Sequence, residues 1–324
     1  MKLLLIQTAF TGDVILATPL IERLKQEHPD CTIHFLARKG NEALLENHPH
    51  LAKTLVFDKS RGKFRNLLRL ARQVRAEKYD TVINLHRFFS SGLLTVLSGA
   101  KVKIGFDKNP LSFLFTRSFK HIISQNSGQH ETERNLSLLK GITDTKCTMP
   151  KLYPSAGDFQ KVFTREPYVC IAPASVWFTK QLPAEKWCEL IQQLPAQYKV
   201  YLIGAPGDAA LCQKIQQQSN SPRVEILAGK LSLLQSAALL KNARMTYTND
   251  SAPLHLASAM NAPVTAFFCS TVPAFGFGPL SDNARIFETE KLDCRPCGLH
   301  GKKQCPRGHF KCADINMSSA ANIA

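Results

Sequence analysis

Two doubly wound α/β domains, facing each other across a cleft, are what this sequence predicts. Three observations carry that expectation. Short apolar runs alternate with amphipathic helical stretches, the alternation occurs twice, and a Pro-containing stretch of weak periodicity separates the two runs. Residues 1–155 then form one domain and residues 156–324 a second, which ends in a cysteine-rich tail over 294–312. A chain of 324 residues is long enough for a substantial core in each.

Residues 2–6 are an apolar run followed by the polar turn 7–13, and residues 14–27 carry apolar positions at helical spacing, so the chain opens on a βα unit. Strands at 32–37 and 54–57, a short helix at 41–47 and a basic amphipathic helix at 65–77 follow. The next strand, 81–85, ends at His86 and Arg87. Residues 102–105 read as another strand. In 107–120, aromatics interleave with Lys and Arg, which suits either an anionic, partly apolar ligand or a loop that packs its phenylalanines inward. A helix at 130–139 closes the first domain. Beyond the connection, strands at 168–172, 199–203, 223–227 and 262–268 alternate with helices at 184–194, 209–217 and 232–241. In doubly wound sheets ligands bind at the carboxyl ends of the strands, so the loops there are where function is sought.

The composition, 44% hydrophobic and 20% charged, is that of a soluble globular protein. No apolar run approaches a membrane span and the first residues lack the features of a signal peptide, so a cytoplasmic location is expected. The formal charge of +16, from 41 Lys and Arg against 25 Asp and Glu, points to nucleic acid, an anionic membrane surface or phosphorylated substrates, unless it only aids solubility. Six of the ten cysteines, Cys31, Cys147, Cys170, Cys188, Cys212 and Cys269, stand singly in regular segments and are expected as buried thiols.

Several loops hold candidates for chemistry. The turn 7–13 sits where a dinucleotide fingerprint would, yet holds one glycine, Gly12, which disfavours a nicotinamide enzyme. Asp13, where the first helix begins, is either a plain N-cap or a carboxylate that takes a proton from an acceptor hydroxyl. Lys180, in a polar loop with Ser175 and Thr179, can place an ammonium and two hydroxyls against phosphate oxygens. Glu225 either accepts from a ribose or pairs with a nearby base such as Arg223. At 248–257 a strand turns directly into a helix capped by Asp250 or Ser251, with Pro253 in its first turn, and such a start is an anion site. His255 lies one turn in. In the tail, Cys294 and Cys297, then Cys305 and Cys312, suit a structural zinc site, although the spacing matches no standard ribbon and unmetallated thiols remain the alternative.

These residues resemble the glycosyltransferase family 9 proteins, typified by the ADP-heptose:lipopolysaccharide heptosyltransferases. The likeness rests on Thr11-Gly12-Asp13-Val14 with Thr18-Pro19, on Lys180 with Pro183, and on Asn249-Asp250-Ser251-Ala252-Pro253-Leu254-His255-Leu256-Ala257. Ala252 and Leu254 stand where the family usually has glycine and methionine. The resemblance implies a GT-B fold and inverting transfer, with an ADP-heptose-like donor in the second domain. Asp13 then matches the catalytic base, with Thr11, Gly12, His86 and Arg87 on the acceptor side. Ser175, Thr179, Lys180, Glu225, Asp250, Ser251, Ala252 and His255 fall on the donor side. The implied acceptor is an anionic, phosphorylated lipid-linked glycan met at an anionic membrane. No cofactor is required for this chemistry, and no nucleic acid is expected. The rival readings are a GT-B enzyme for another sugar or acceptor, and a non-catalytic nucleic-acid-binding protein with a zinc knot.

Overall fold

The computed structural model describes residues 1–60 and 62–322. They divide into two compact units: Met1–Ile122 with Gln129–Tyr153, and Ile123–Gly128 with the chain from Pro154 on. Each unit is built on a six-stranded parallel sheet.

In the first unit the strands are β1 (Lys2–Gln7), β2 (Thr32–Arg38), β3 (Lys53–Phe57), β4 (Thr81–Asn84), β5 (Val102–Phe106) and β6 (Arg117–Phe119), ordered β3-β2-β1-β4-β5-β6. Leu3, Leu4, Leu5 and Ile6 of the central β1 are all inaccessible to solvent. That is why β1 is a continuous apolar run: both faces of a parallel sheet are covered. The covering elements are α1 (Thr11–Ile15), α2 (Thr18–Glu27), α3 (Lys63–Ala76), α4 (Phe89–Leu97) and α5 (Glu131–Leu136). α3 buries Leu67, Leu70, Ala71 and Val74, the i, i+3, i+4, i+7 positions of one stripe, against Leu4, Ile6 and Val82 of the sheet.

The second unit repeats the topology. Its strands are β7 (Tyr168–Ala172), β8 (Lys199–Leu202), β9 (Val224–Ile226), β10 (Thr246–Asn249), β11 (Val264–Phe268) and β12 (Ala284–Glu288), ordered β12-β11-β10-β7-β8-β9. α6 (Ala156–Lys161), α7 (Ala184–Gln193), α8 (Ala209–Ser219), α9 (Leu233–Asn242), α10 (Ala252–Ala259) and α11 (Ser318–Ala321) complete it. The largest fully buried side chain, Trp187 of α7, meets Phe267 of β11 edge to face with ring centroids 5.3 Å apart. A pair of this kind contributes about 0.5–1.5 kcal/mol beyond its area.

The α/β class and the doubled βα pattern expected from the sequence are present. Several elements differ. The first helix is broken at Leu16 and Ala17 into α1 and α2, with Pro19 in the first turn of α2, where its missing N–H is tolerated. The edge strands β6 and β12 and the helices α4 and α6 were not anticipated, because their segments are short or mixed in polarity. Residues 42–45 form a 3₁₀ turn rather than an α-helix. In the aromatic loop Phe106 is buried and Phe113 exposed, so that segment is neither wholly packed nor wholly free. Cys147 is exposed, against expectation, because it lies in the irregular stretch before Pro150; the other five single cysteines are buried. Among the described residues no helix is long and apolar enough to cross a membrane.

Candidate functional site

In the first unit the strand order reverses direction between β1 and β4, which is where an open parallel sheet leaves a crevice at its carboxyl edge. The loops after these two strands are tied together. Thr8 Oγ1 lies 3.0 Å from His86 Nδ1, and the Lys59 ammonium donates to the Thr8 carbonyl at 2.6 Å. Burial, with Lys59 and Arg87 nearby, pulls His86 down to about 3, so its imidazole is neutral at ordinary pH. Arg87 is exposed, with its guanidinium over the Phe88 ring. Thr11 donates from its hydroxyl to Asn41 Oδ1 at 3.1 Å, and Gly12 accepts the Leu16 N–H.

Asp13 is the third residue of α1, not its N-cap; the Phe10 N–H donates to its Oδ2 at 3.0 Å. Burial first, and then the charge of Glu131, push the Asp13 carboxyl up to about 6, against the opposing pull of the Phe10 N–H, its own N–H and Arg87. Glu131 itself is clamped. Arg134 Nε donates to its Oε2 at 2.7 Å, and His121 Nε2 lies 3.0 Å from its Oε1. Asn135, on the same helix, donates to the Leu16 carbonyl at 3.0 Å, which fixes α5 beneath α1. Glu131 is a functional candidate the sequence did not single out, being one acid among several in a helical stretch.

In the second unit the corresponding reversal falls between β7 and β10. The loop after β7 carries Ser175, Thr179 and Lys180, and the turn after β10 carries Asp250, Ser251 and Ala252. Lys180 Nζ meets Asp250 Oδ2 at 2.5 Å, and the Thr271 hydroxyl donates to the same oxygen at 2.6 Å. Asn249 crosses between the loops: its Oδ1 accepts the Leu182 N–H at 3.0 Å and its Nδ2 donates to the Pro173 carbonyl at 2.8 Å. Ser251 is the N-cap of α10, yet its side chain makes no capping bond, and its hydroxyl lies 3.4 Å from that of Thr248. The helix therefore starts without side-chain capping, with Pro253 in its first turn and a positive dipole end directed outward. Ala252 is the first helical residue, and His255 is buried one turn in.

Two predicted donor residues have partners within the chain. Thr179 is buried: its hydroxyl accepts from Ser270 Oγ at 2.9 Å and from the Lys302 N–H at 2.8 Å. Glu225 lies within β9 and pairs with Lys199 at 2.8 Å, not with Arg223, which donates to the carbonyls of Pro195 and Tyr198. Ser175 is half-buried, its N–H donating to Gln181 Oε1.

The tail does not form the expected zinc site. Among the described residues no group of three or more His, Cys, Asp or Glu side chains is gathered to hold a metal ion. The Cys297 thiol donates to the Cys294 carbonyl at 3.2 Å, and Cys294 Sγ is 3.8 Å from His309 Nε2. Cys312 is buried, and burial first and then the neighbouring Cys297, Cys305 and Cys294 thiols push its own thiol up to about 11. Cys305 differs. Burial raises its thiol, but the backbone N–H groups of Phe310, Arg307, Gly308 and His309 outweigh that and hold it below the usual value.

The tail instead braces the loops after β7 and β11. Arg295 donates to the carbonyls of Cys269 at 2.6 Å and Thr271 at 2.7 Å, and pairs with Glu288. The Thr179 N–H donates to the Lys302 carbonyl at 3.1 Å, and a Cβ on Gly301 would meet Trp177 Cβ at 2.4 Å and Lys180 Cγ at 2.7 Å. Thr271, Arg295 and Gly301 escaped the sequence reading. The polar pair Ser270-Thr271 immediately after an apolar strand was the available signal for the first.

Comparison with known proteins gives this architecture a family. The model of glycosyltransferase family 9 (heptosyltransferase) matches residues 67–309. Lipopolysaccharide heptosyltransferase 3 of Escherichia coli is 31% identical over 290 residues, covering 85% of each chain. Among solved structures, E. coli ADP-heptose lps heptosyltransferase II superimposes with a TM-score of 0.79 at 23% identity, covering 92% of this chain and 96% of its own. The E. coli heptosyltransferase WaaC with ADP gives 0.72 at 23% identity, over 88% and 92% of the two chains. These likenesses fix the fold as that of the GT-B heptosyltransferases, and the chain belongs to glycosyltransferase family 9.

Proposed function

We propose that this glycosyltransferase moves a heptose from an ADP-heptose-like donor to a phosphorylated, lipid-linked glycan of the lipopolysaccharide core, with inversion at the anomeric carbon. The observation that carries the reading is the Lys180–Asp250 pair at the uncapped start of α10. Breaking the bond between the anomeric carbon and a diphosphate oxygen leaves positive charge on the sugar and negative charge on the leaving group. The Lys180 ammonium and the amides at the head of α10 are donors suited to that developing charge. An arriving diphosphate competes with Asp250 for Lys180, while Thr271 continues to hold the Asp250 carboxylate. Ser175, Ser251, Ala252 and His255 complete the donor turn. Glu225, with its side chain 45% exposed beside Lys199, is assigned to the ribose.

On the acceptor side Asp13 is the base. A carboxyl brought up to about 6 is still ionised at neutral pH, yet a better proton acceptor than an ordinary aspartate. It removes the proton from the attacking hydroxyl as the new bond forms opposite the departing diphosphate, and backside attack inverts the centre. Thr11, Gly12, neutral His86 and exposed Arg87 complete the acceptor side, and Arg87 suits a phosphorylated acceptor. The excess of basic residues fits an enzyme working in the cytoplasm at the inner, anionic membrane face.

Calorimetric titration with nucleoside diphosphates, followed by turnover with the matching nucleotide-heptose, tests this. The expected result is preferential ADP binding and release of ADP in the presence of a core acceptor. A protein that binds no nucleoside diphosphate, or releases none from ADP-heptose, removes the reading.

A further inference from the structure

The stretch between Asp58 and Glu77 contains no acidic residue. α3 runs through it, and its outer face is unusual. Opposite the buried stripe of Leu67, Leu70, Ala71 and Val74, the helix exposes Arg65, Arg69 and Arg72 to solvent. Among the described residues Arg65 and Arg72 enter no ion pair, and Arg69 only donates to Asn66 at 3.3 Å. The acids that bound the stretch are spent on lysines: Asp58 on Lys39 at 2.8 Å, and Glu77 on Lys2 at 2.7 Å and Lys53 at 2.6 Å. The positive field of this face is therefore not cancelled locally.

Two large apolar side chains border this face. Phe64 is 77% exposed and Leu68, one turn on, is 54% exposed, although the helix has an apolar stripe of its own against the sheet. A scattered exposed apolar residue needs no account, but two in register along one helix, flanked by arginines one turn apart, form a patch. A shallow basin of about 560 Å³ lies along it, lined by Gly62, Arg65, Asn66, Leu68, Arg69 and Arg72.

We propose that this outer face of α3 is a docking surface for an anionic phospholipid bilayer: Phe64 and Leu68 enter the headgroup boundary while Arg65, Arg69 and Arg72 pair with lipid phosphates. Nucleic acid would be attracted by the arginines, but a duplex backbone offers nothing to take up a phenylalanine and a leucine on the helix surface. A bilayer takes both kinds of group at once. The inference deepens the reading that the acceptor is lipid-linked, by naming the surface that meets the lipid. It does not depend on which sugar is transferred.

The experiment is co-sedimentation of the full chain with vesicles of phosphatidylglycerol and phosphatidylethanolamine, against neutral phosphatidylcholine vesicles, with neither donor nor acceptor present. The wild type is expected on the anionic vesicles, with binding weakened as salt is raised. Phe64→Ser with Leu68→Ser, and separately Arg69→Glu with Arg72→Glu, should each lower the partition about tenfold or more, while ADP titration and circular dichroism stay unchanged. Equal partition onto neutral vesicles, or either double variant binding as the wild type does, overturns the proposal. Loss of duplex DNA affinity on charge reversal, with vesicle binding unchanged, overturns it in favour of nucleic acid. Failure of the transferase reading would show separately, as a protein that docks on lipid but turns over no nucleotide sugar.

Discussion

Asp13 and the Lys180–Asp250 pair are held by different means. Asp13 hangs from a five-residue helix, and its side chain takes one backbone N–H from three residues away. Its chemistry is set by surroundings: burial and the carboxylate of Glu131 raise its proton affinity. Lys180 and Asp250 are fixed by bonds that reach far along the chain, from Thr271 at a separation of 21 residues and, through Thr179, from Lys302 at 123. A base needs a tuned pKa and room for a hydroxyl to approach. A diphosphate site needs charges whose positions do not relax when the ligand leaves. In the proposed roles, the first demand is met by an environment and the second by cross-bracing.

Five experiments break or sharpen that contrast, the largest effect first. Asp13→Asn should lower kcat by roughly two to four orders of magnitude and leave ADP affinity within a factor of about two. Near-normal turnover in that variant would mean another group removes the proton. Lys180→Met should weaken ADP binding by about one to two orders of magnitude, the scale of a charge-assisted bond to phosphate, and leave the pH profile in place. Titration calorimetry reads it, and an unchanged dissociation constant would exclude Lys180 from the donor site.

Gly301→Ala inserts a methyl against Trp177 and the stem of Lys180, an overpacking that costs about 1–3 kcal/mol. The donor KM should rise while the acidic limb of the pH profile does not move. A variant that loses thermal stability with an unaltered KM would show that the tail supports the fold but not the site.

The pH profile is the fourth test. With Asp13 at about 6, kcat/KM should be level above neutrality and fall with unit slope below about pH 6. Glu131→Gln removes the neighbouring negative charge and should move that limb to lower pH, by less than one unit. A limb that stays fixed means burial alone sets the base.

The smallest effect is on stability. A carboxyl raised in the folded state binds more protons there than in the unfolded chain between pH 3.8 and about 6. Its contribution therefore becomes unfavourable as pH rises through that window, and the cost is complete above it. Asp13→Asn should accordingly melt higher than the wild type at pH 7.5, by at most about 3 kcal/mol for a half-buried carboxyl held at about 6 rather than 3.8, and show no advantage at pH 3.5. An equal or lower melting point at pH 7.5 would contradict the raised proton affinity.

The same contrast explains what the amino-acid order disclosed. The strand-to-helix turns that carry Asp13 and residues 249–257 were readable in place because proline placement and the change from strand to helix are local patterns, whereas capping was read less well: Asp13 is the third residue of α1 and Ser251 makes no capping bond. The doubled βα alternation was readable for the same reason. Thr271 and Gly301 were not, since what they do depends on partners brought up from distant strands and the tail. Thr179 shows the opposite: its sequence context gives a loop hydroxyl, and only the fold shows that it accepts from Ser270 and Lys302. The four tail cysteines suggested a ligand set by count, but spacing alone does not direct sulfurs to a common point. The strands β6 and β12 are three and five residues long at sheet edges, too short or too mixed in polarity for a period to show.

The contact of Gly301 and Lys302 with the loop after β7 also gives the protein an order of assembly. The Thr179 hydroxyl leaves the ribosome 123 residues before the N–H it will accept. Until then the second sheet can pair its strands, but the Lys180 loop lacks its brace. A nascent chain halted between β12 and Gly301 would hold every described strand of both sheets without the braced Lys180 loop. Any function of the Lys180 loop would thus wait on residues that follow the last strand of either sheet.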